Sequence, residues 1–197
     1  MKTNDELIEH LIRKGMLKTK RVIDAFRKVD RAGFVHEEFL AQAYADYPLP
    51  IGHAATISQP TTVAFMLELL QPQPGDRVLD VGAGSGWTTA LLKRIAGKGS
   101  VIGVELVPEL VELGNRNLKR NRVAARIRPA GVILGLPELA PFDRILVSAA
   151  AEELPGALLA QLKENGTLVI PIRNSVWRIT KGKTEEEYPG FVFVKLR

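Results

Sequence analysis

The chain opens with apolar residues at helical spacing. Leu7, Ile8, Leu11 and Ile12 recur every three or four positions, with Thr3 or Asn4 ahead of them as a capping residue. Gly15 supplies a stop. Val22, Ile23, Phe26 and Val29 form a second apolar stripe that ends near Arg31, Ala32 and Gly33. These patterns predict helices across residues 4–39. Residues 45–60 break the periodicity with Pro48, Pro50, Gly52 and Pro60 and are expected to form an irregular loop. Their apolar Tyr47, Leu49, Ile51 and Ile57 argue against disorder, and a loop this long inside a compact domain is usually functional. A helix over residues 61–70 follows.

Beyond residue 75 short β-rich runs alternate with helical stretches. Strands are predicted over residues 77–81, 101–105, 125–129, 144–148 and 167–172, and helices over 87–96, 109–121 and 154–162. Asn165-Gly166, a favoured turn pair, is expected to end the last helix before the fifth strand. Residues 176–180 and 191–196 are expected to pair as a closing hairpin around a charged turn, 181–187. Strands separated by helices imply an α/β fold: a mostly parallel, doubly wound sheet with helices on both faces, closed by an antiparallel hairpin. The organisation is one domain, with residues 1–60 as helices and loop ahead of an α/β core over 61–197.

Composition narrows the chemistry. A chain of 197 residues suits a single domain with its own core. It contains no cysteine, which removes disulfides, thiolate nucleophiles and cysteine-ligated zinc. His10, His36 and His53 are far apart in sequence, so no metal site is expected. No stretch approaches the roughly 20 apolar residues of a membrane span, and residues 1–14 lack the apolar core of a signal peptide. A cytoplasmic monomer with no membrane partner is the expectation. The net charge of +5 leaves room for acidic partners, but Lys18, Lys20 and Arg21, like Arg116, Lys119, Arg120 and Arg122, read as solvated faces and favour no nucleic-acid role.

The strongest local signal is Asp80-Val81-Gly82-Ala83-Gly84-Ser85-Gly86-Trp87, joining a strand to a helix. Glycines let the backbone turn sharply and approach a ligand, and the helix start offers free N–H groups. A dinucleotide fingerprint needs a small residue where Trp87 stands, and no phosphate-binding loop of the G-x-x-x-x-G-K-[ST] kind occurs. The loop instead resembles the S-adenosylmethionine loop of Rossmann-like methyltransferases. Glu105 ends the next strand, where a carboxylate can accept both hydroxyls of a ribose, although it also reads as a simple helix-start charge ahead of Pro108.

The segment Tyr47-Pro48-Leu49-Pro50-Ile51-Gly52-His53-Ala54-Ala55-Thr56-Ile57-Ser58-Gln59-Pro60 is similar to the loop that precedes the cofactor domain in protein-L-isoaspartate O-methyltransferases. Val22 to Phe26, Val29-Asp30-Arg31 and Phe34-Val35 resemble that family's N-terminal helices, and Gly135-Leu136-Pro137, Ala140-Pro141-Phe142-Asp143, Ala149-Ala150-Ala151 and Gly166-Thr167-Leu168 continue the likeness. The chain is thus identified as a divergent member. The resemblance implies repair: S-adenosylmethionine methylates the free carboxylate of an isoaspartyl residue, leaving S-adenosylhomocysteine, and the ester re-cyclises to a succinimide that can reopen to aspartate. It implies that Ser58 lies beside the acceptor carboxylate and that Thr56, Ile57 and Gln59 shape the peptide slot; His53, in the same loop, is a candidate substrate contact that reads more simply as a structural or exposed residue. Asp80, Gly82, Ala83, Gly84, Ser85, Gly86, Glu105, Leu106, Gly131 and Val132 would bind the cofactor. A carboxylate is already an anion at neutral pH and needs alignment rather than a general base.

Three positions depart from the family pattern. Ala130-Gly131-Val132 stands where Gly-Asp-Gly is usual, so the acid near the adenine is missing. Ala54 replaces a glycine, at a cost on the order of 1 kcal/mol if the site needs a positive φ. The chain also ends soon after its last strand, so a substrate-covering element could be lacking. Two other readings remain open: a methyltransferase of the same fold with a different carboxylate or small-molecule acceptor, and a non-catalytic S-adenosylmethionine-binding module. Ser58 by itself could equally initiate a turn or cap a helix.

Overall fold

The computed structural model describes residues 1–196. Two helices, α1 (Asn4–Arg13) and α2 (Lys20–Lys28), lead into two 3-10 turns at Arg31–Phe34 and Glu37–Gln42. Thr3 caps α1 by accepting from the Glu6 N–H at 3.1 Å, and Gly15 follows it at φ +68°. The presumed irregular loop contains a hairpin, β1 (Leu49–Gly52) against β2 (Ala55–Ile57). Leu49 and Ile51 alternate inward there, while Pro50 points out. A proline is tolerated in such a two-stranded ribbon, and its presence had masked the alternation. His53 and Ala54 make the turn at φ +53° and +56°, so the alanine does occupy a left-handed position.

Helix α3 (Pro60–Leu70) leads to the main sheet, which interleaves β3 (Val78–Val81), α4 (Trp87–Ala96), β4 (Val101–Glu105), α5 (Pro108–Arg120) and β5 (Arg126–Pro129). Then come β6 (Phe142–Val147), α6 (Gly156–Ala160), β7 (Leu162–Ile172), β8 (Ser175–Thr180) and β9 (Thr184–Pro189). The seven strands lie in the order β5-β4-β3-β6-β7-β8-β9. The first five are mutually parallel, and β8 and β9 add antiparallel pairs.

Side chains alternate across this sheet and divide the core. Val78 and Val101 face a large apolar cluster with α1 to α5, whereas Leu79, Val81, Ile102 and Val104 face a smaller one with Phe142 and Leu158. Helices cover both faces, but unequally: one face carries five of them, and the other only α6 and a 3-10 turn at Pro137–Leu139.

Three expectations need correction. The helix expected over 154–162 is only the five residues of α6, because Leu162 already pairs with Phe142 in β7 and Asn165, at φ +62°, sits in a bulge of that strand. The charged turn expected over 181–187 is mostly β9. Its glutamates are held by cross-strand partners, Glu186 by Arg178 and Glu187 by the Ser175 hydroxyl at 2.7 Å. Charge on an edge strand also discourages pairing with other chains. Residues 191–196 are therefore not the hairpin's second strand. They cross the end of β6, where the Ala150 N–H donates to the Val194 carbonyl and the Leu196 N–H to the Ala150 carbonyl, both at 2.8 Å.

Helix α5 packs closely on the glycine loop because Gly114 lacks a side chain. A Cβ there would stand 2.7 Å from the Gly84 carbonyl oxygen and also meet Ile127. Gly114→Ala is expected to lower stability by about 1–3 kcal/mol through overpacking. Urea unfolding checks this, and an unchanged midpoint would show that α5 yields freely.

Candidate active site

Parallel strands in register end level with one another, so the loops after β3, β4 and β6 meet above the sheet's carboxyl edge, the usual ligand position in such folds. A cavity of about 500 Å³ lies there. Its floor is the glycine loop, with the turn after β4 and Ser148 and Ala149 after β6 beside it. The β1–β2 hairpin and residues 194–196 form its other walls.

Gly82, Gly84 and Gly86 all take positive φ, at +78°, +49° and +84°. The Gly82 and Ala83 N–H groups donate to the Val104 carbonyl, and Gly84 N–H donates to Glu105 Oε2 at 3.0 Å. Glu105 Oε1 accepts from Leu106 and Val107 N–H at 2.7 and 3.1 Å. Glu105 is nearly buried, yet its carboxylate borders the cavity. Of the residues expected at the cofactor, Gly82, Ala83, Gly84, Ser85 and Leu106 also line the cavity.

Four of the residues anticipated for the cofactor do not. Asp80 lies on the helix-covered face of β3, fully buried under α4, where Oδ2 accepts the Thr89 hydroxyl at 2.6 Å and Oδ1 has no partner. Burial pushes its carboxyl up to about 7; the Thr89 hydrogen bond opposes this and the negative Glu105 adds to it. Gly86 is turned toward Gly114 and Leu118. Gly131 is exposed and Val132 fully so; Ala130, Leu134 and Gly135 border the cavity in their place.

On the acceptor side, Thr56, Ile57, Ser58 and the exposed His53 line the cavity. Ser58 is half-buried. Gln59 is turned away, its amide donating to the Asp46 carbonyl at 2.9 Å. Asp46 in turn receives the Thr61 N–H and hydroxyl at 2.9 and 2.6 Å, capping α3 from outside, and pairs with Lys14 at 3.2 Å. Burial works to raise the Asp46 carboxyl, but these hydrogen bonds outweigh it and hold it below the usual aspartate range.

Arg31 holds this segment together. Its buried guanidinium donates to four main-chain carbonyls, those of Ala43, Ala45, Tyr47 and Ser58, at 2.8–3.1 Å. Sequence reasoning placed Arg31 only at the end of a helix. Its one signal was a lone cation between apolar Val29 and Phe34. Val107, Ser148, Ala149 and residues 194–196 are further cavity residues that the sequence did not single out. Among the described residues no group of three or more His, Asp or Glu could hold a metal ion.

The residues present fit S-adenosylmethionine: a glycine-floored cradle at the sheet's carboxyl edge, a carboxylate on its rim and apolar walls. The sequence profile of the protein-L-isoaspartate(D-aspartate) O-methyltransferase family matches residues 2–188. A protein-L-isoaspartate O-methyltransferase of Methanopyrus kandleri is 40% identical over 206 residues, spanning 99% of this chain and 91% of the relative. One of Aeropyrum pernix is 46% identical over 169 residues, covering 84% of this chain and 65% of that protein. Among solved structures, a chain from Plasmodium falciparum assigned to the same activity, in complex with S-adenosyl-L-homocysteine, superposes with a TM-score of 0.89 at 31% identity, over 100% of this chain and 99% of that one.

Asp80 gives the stability a pH dependence with a definite sign. The unfolded carboxyl ionises near 3.9, the folded one near 7. Between those values the folded protein holds a proton that the unfolded chain has lost, so stability falls as pH rises across the window and is level above it. Urea midpoints measured from pH ~4 to ~8 should show this decline, and Asp80→Asn should flatten it. An equal slope in the variant would place its origin elsewhere.

Proposed function

The chain belongs to the protein-L-isoaspartate(D-aspartate) O-methyltransferase family, and on that premise we propose that this cavity is where it transfers the methyl group of S-adenosylmethionine to the free carboxylate of isoaspartyl residues in damaged proteins. The observation that carries the assignment of roles is the meeting of two segments in one cavity: Ser58 lines the same space as the glycine loop and Glu105. When bound, S-adenosylmethionine supplies an electrophilic methyl group on a sulfonium and S-adenosylhomocysteine is left as product.

The chain's own residues align and enclose. The glycine loop gives a surface that a backbone can approach without side chains, and Glu105 accepts from a hydroxyl on the one lone pair of Oε2 that its three main-chain donors leave free. Ser58 donates its hydroxyl to one oxygen of the acceptor carboxylate and turns the other toward the methyl group. Ile57 and Ile51 exclude water from that contact. His53 and Thr56 stand at the exposed rim, where they meet the peptide on either side of the damaged residue. No proton need be removed, and among the described residues His53 has no carboxylate partner. The acceptor's charge supplies the nucleophile, and alignment supplies the rate.

The same proposal takes the enzyme to work as a cytoplasmic monomer without nucleic acid or membrane. In support, among the described residues no helix is long and apolar enough to cross a membrane.

Labelled methyl transfer to an isoaspartyl peptide, with the matching aspartyl peptide as control, tests the reading: base-labile label on the isoaspartyl peptide alone is expected. Label on neither peptide, with cofactor binding intact by calorimetry, would move the assignment to another acceptor. Ser58→Ala should keep cofactor affinity and lower kcat/KM by about 10-fold or more, the loss of one hydrogen bond to a charged group. Glu105→Gln should instead weaken cofactor binding by about 10-fold, a result that titration calorimetry reads directly.

A further inference from the structure

Arg31 and Asp80 are the charged side chains with no exposed surface among the described residues. Unlike most buried cations, Arg31 meets no carboxylate: its polar partners are the four carbonyls of Ala43, Ala45, Tyr47 and Ser58. They fall in two pairs. Nη1 holds the carbonyls of Ala43 and Ala45, ahead of the hairpin, and Nη2 holds those of Tyr47 and Ser58, which flank it. One planar group therefore fixes both ends of the acceptor segment.

The guanidinium plane also touches the cofactor side. Its central carbon stands 5.4 Å from the centroid of the Trp87 ring. Trp87 directly follows Gly86, begins α4 and lines the cavity, with Phe26 packed edge-on against it at 5.6 Å. A second contact repeats the link: Ile51 of the hairpin presses on Gly84, where a Cβ would stand 3.2 Å from its side chain. Burying a cation costs several kcal/mol even with the charge of Asp46 near enough to offset part of it, and an apolar residue would fill the space at less cost. The four carbonyls and the aromatic face say what that cost secures, which is geometry between two loops.

We propose that Arg31 is a positioning residue for the methyl transfer: through the Ser58 carbonyl on one side and the Trp87 ring on the other, it fixes the acceptor loop on the cofactor loop so that the two become ordered together. The inference rests on the assignment of Ser58 to the acceptor carboxylate. It predicts that a ligand in the cofactor cradle is felt at residues 43–47, which do not line the cavity.

Arg31→Lys is the informative variant. Lysine keeps the charge but has one nitrogen and no plane, so it can hold one pair of carbonyls and not both. The expected result is a folded protein whose affinity for S-adenosylhomocysteine stays within about two-fold while kcat for an isoaspartyl peptide falls by about 30-fold, a loss of alignment rather than of binding. Hydrogen exchange at residues 43–58 should quicken in the variant, with residues 78–81 unchanged. An unchanged kcat would overturn the proposal, as would cofactor affinity and kcat falling together with the melting temperature. If the variant does not fold, the wild-type protein decides: S-adenosylhomocysteine alone should slow exchange at residues 43–47, and protection confined to the cavity walls would refute the coupling. Failure of the wild-type protein to methylate the isoaspartyl peptide would instead strike the acceptor assignment, because affinity and exchange still report on Arg31.

Discussion

Glu105 closes the second parallel strand with a carboxylate that accepts three main-chain N–H groups, one from the glycine loop and two from its own turn. Those amides belong to segments too sharply bent to satisfy one another. Left alone next to an apolar cavity, each unpaired group would cost on the order of 1–3 kcal/mol. The register of β4 beside β3 delivers the carboxylate to that point, and the glycine loop then takes the shape that makes a floor. Everything above depends on this joint: the hairpin rests on Gly84 through Ile51, and α5 presses on the same loop from behind.

The same joint sets the electrostatics. The acceptor is an anion entering a cavity that the negative Glu105 also borders. Glu105 is tolerable there because three N–H dipoles already neutralise much of its charge. One strand away, burial raises the Asp80 carboxyl to about 7, and the negative Glu105 adds to that rise. Two carboxylates at neighbouring strand ends thus divide the work. One stays at the rim for a ligand and the other packs under α4 against Thr89.

How much the sequence revealed follows from how local each signal was. The glycine loop, its helix and both carboxylate strands were legible because each fits within one short window of fixed periodicity. Placing Asp80 in the cavity failed because the side of a strand that a residue faces is set by packing; Val78, two residues earlier, already pointed the same way. The hairpin over Leu49–Ile57 was hidden by Pro50 and Gly52, although Ala54 was rightly suspected of a left-handed backbone. Strand β9 was unreadable as a strand because three consecutive glutamates mimic a solvated turn, and only the pairing with β8 explains them. Arg31 was the least legible of all, since its partners are backbone atoms spread over 43–58 and leave no trace in residue type.

The wall formed by residues 194–196 has a consequence for the life of the polypeptide during its synthesis. The cavity draws on positions from Ile51 to Leu196, so its parts leave the ribosome far apart in time. The first strand–helix–strand unit can fold around the glycine loop while translation continues. Closure waits until β6 has a partner crossing its end, which requires residues 194–196 to be free of the exit tunnel. The cavity is therefore completed late, after the glycine loop has formed, when the strap of residues 191–196 docks across the end of β6.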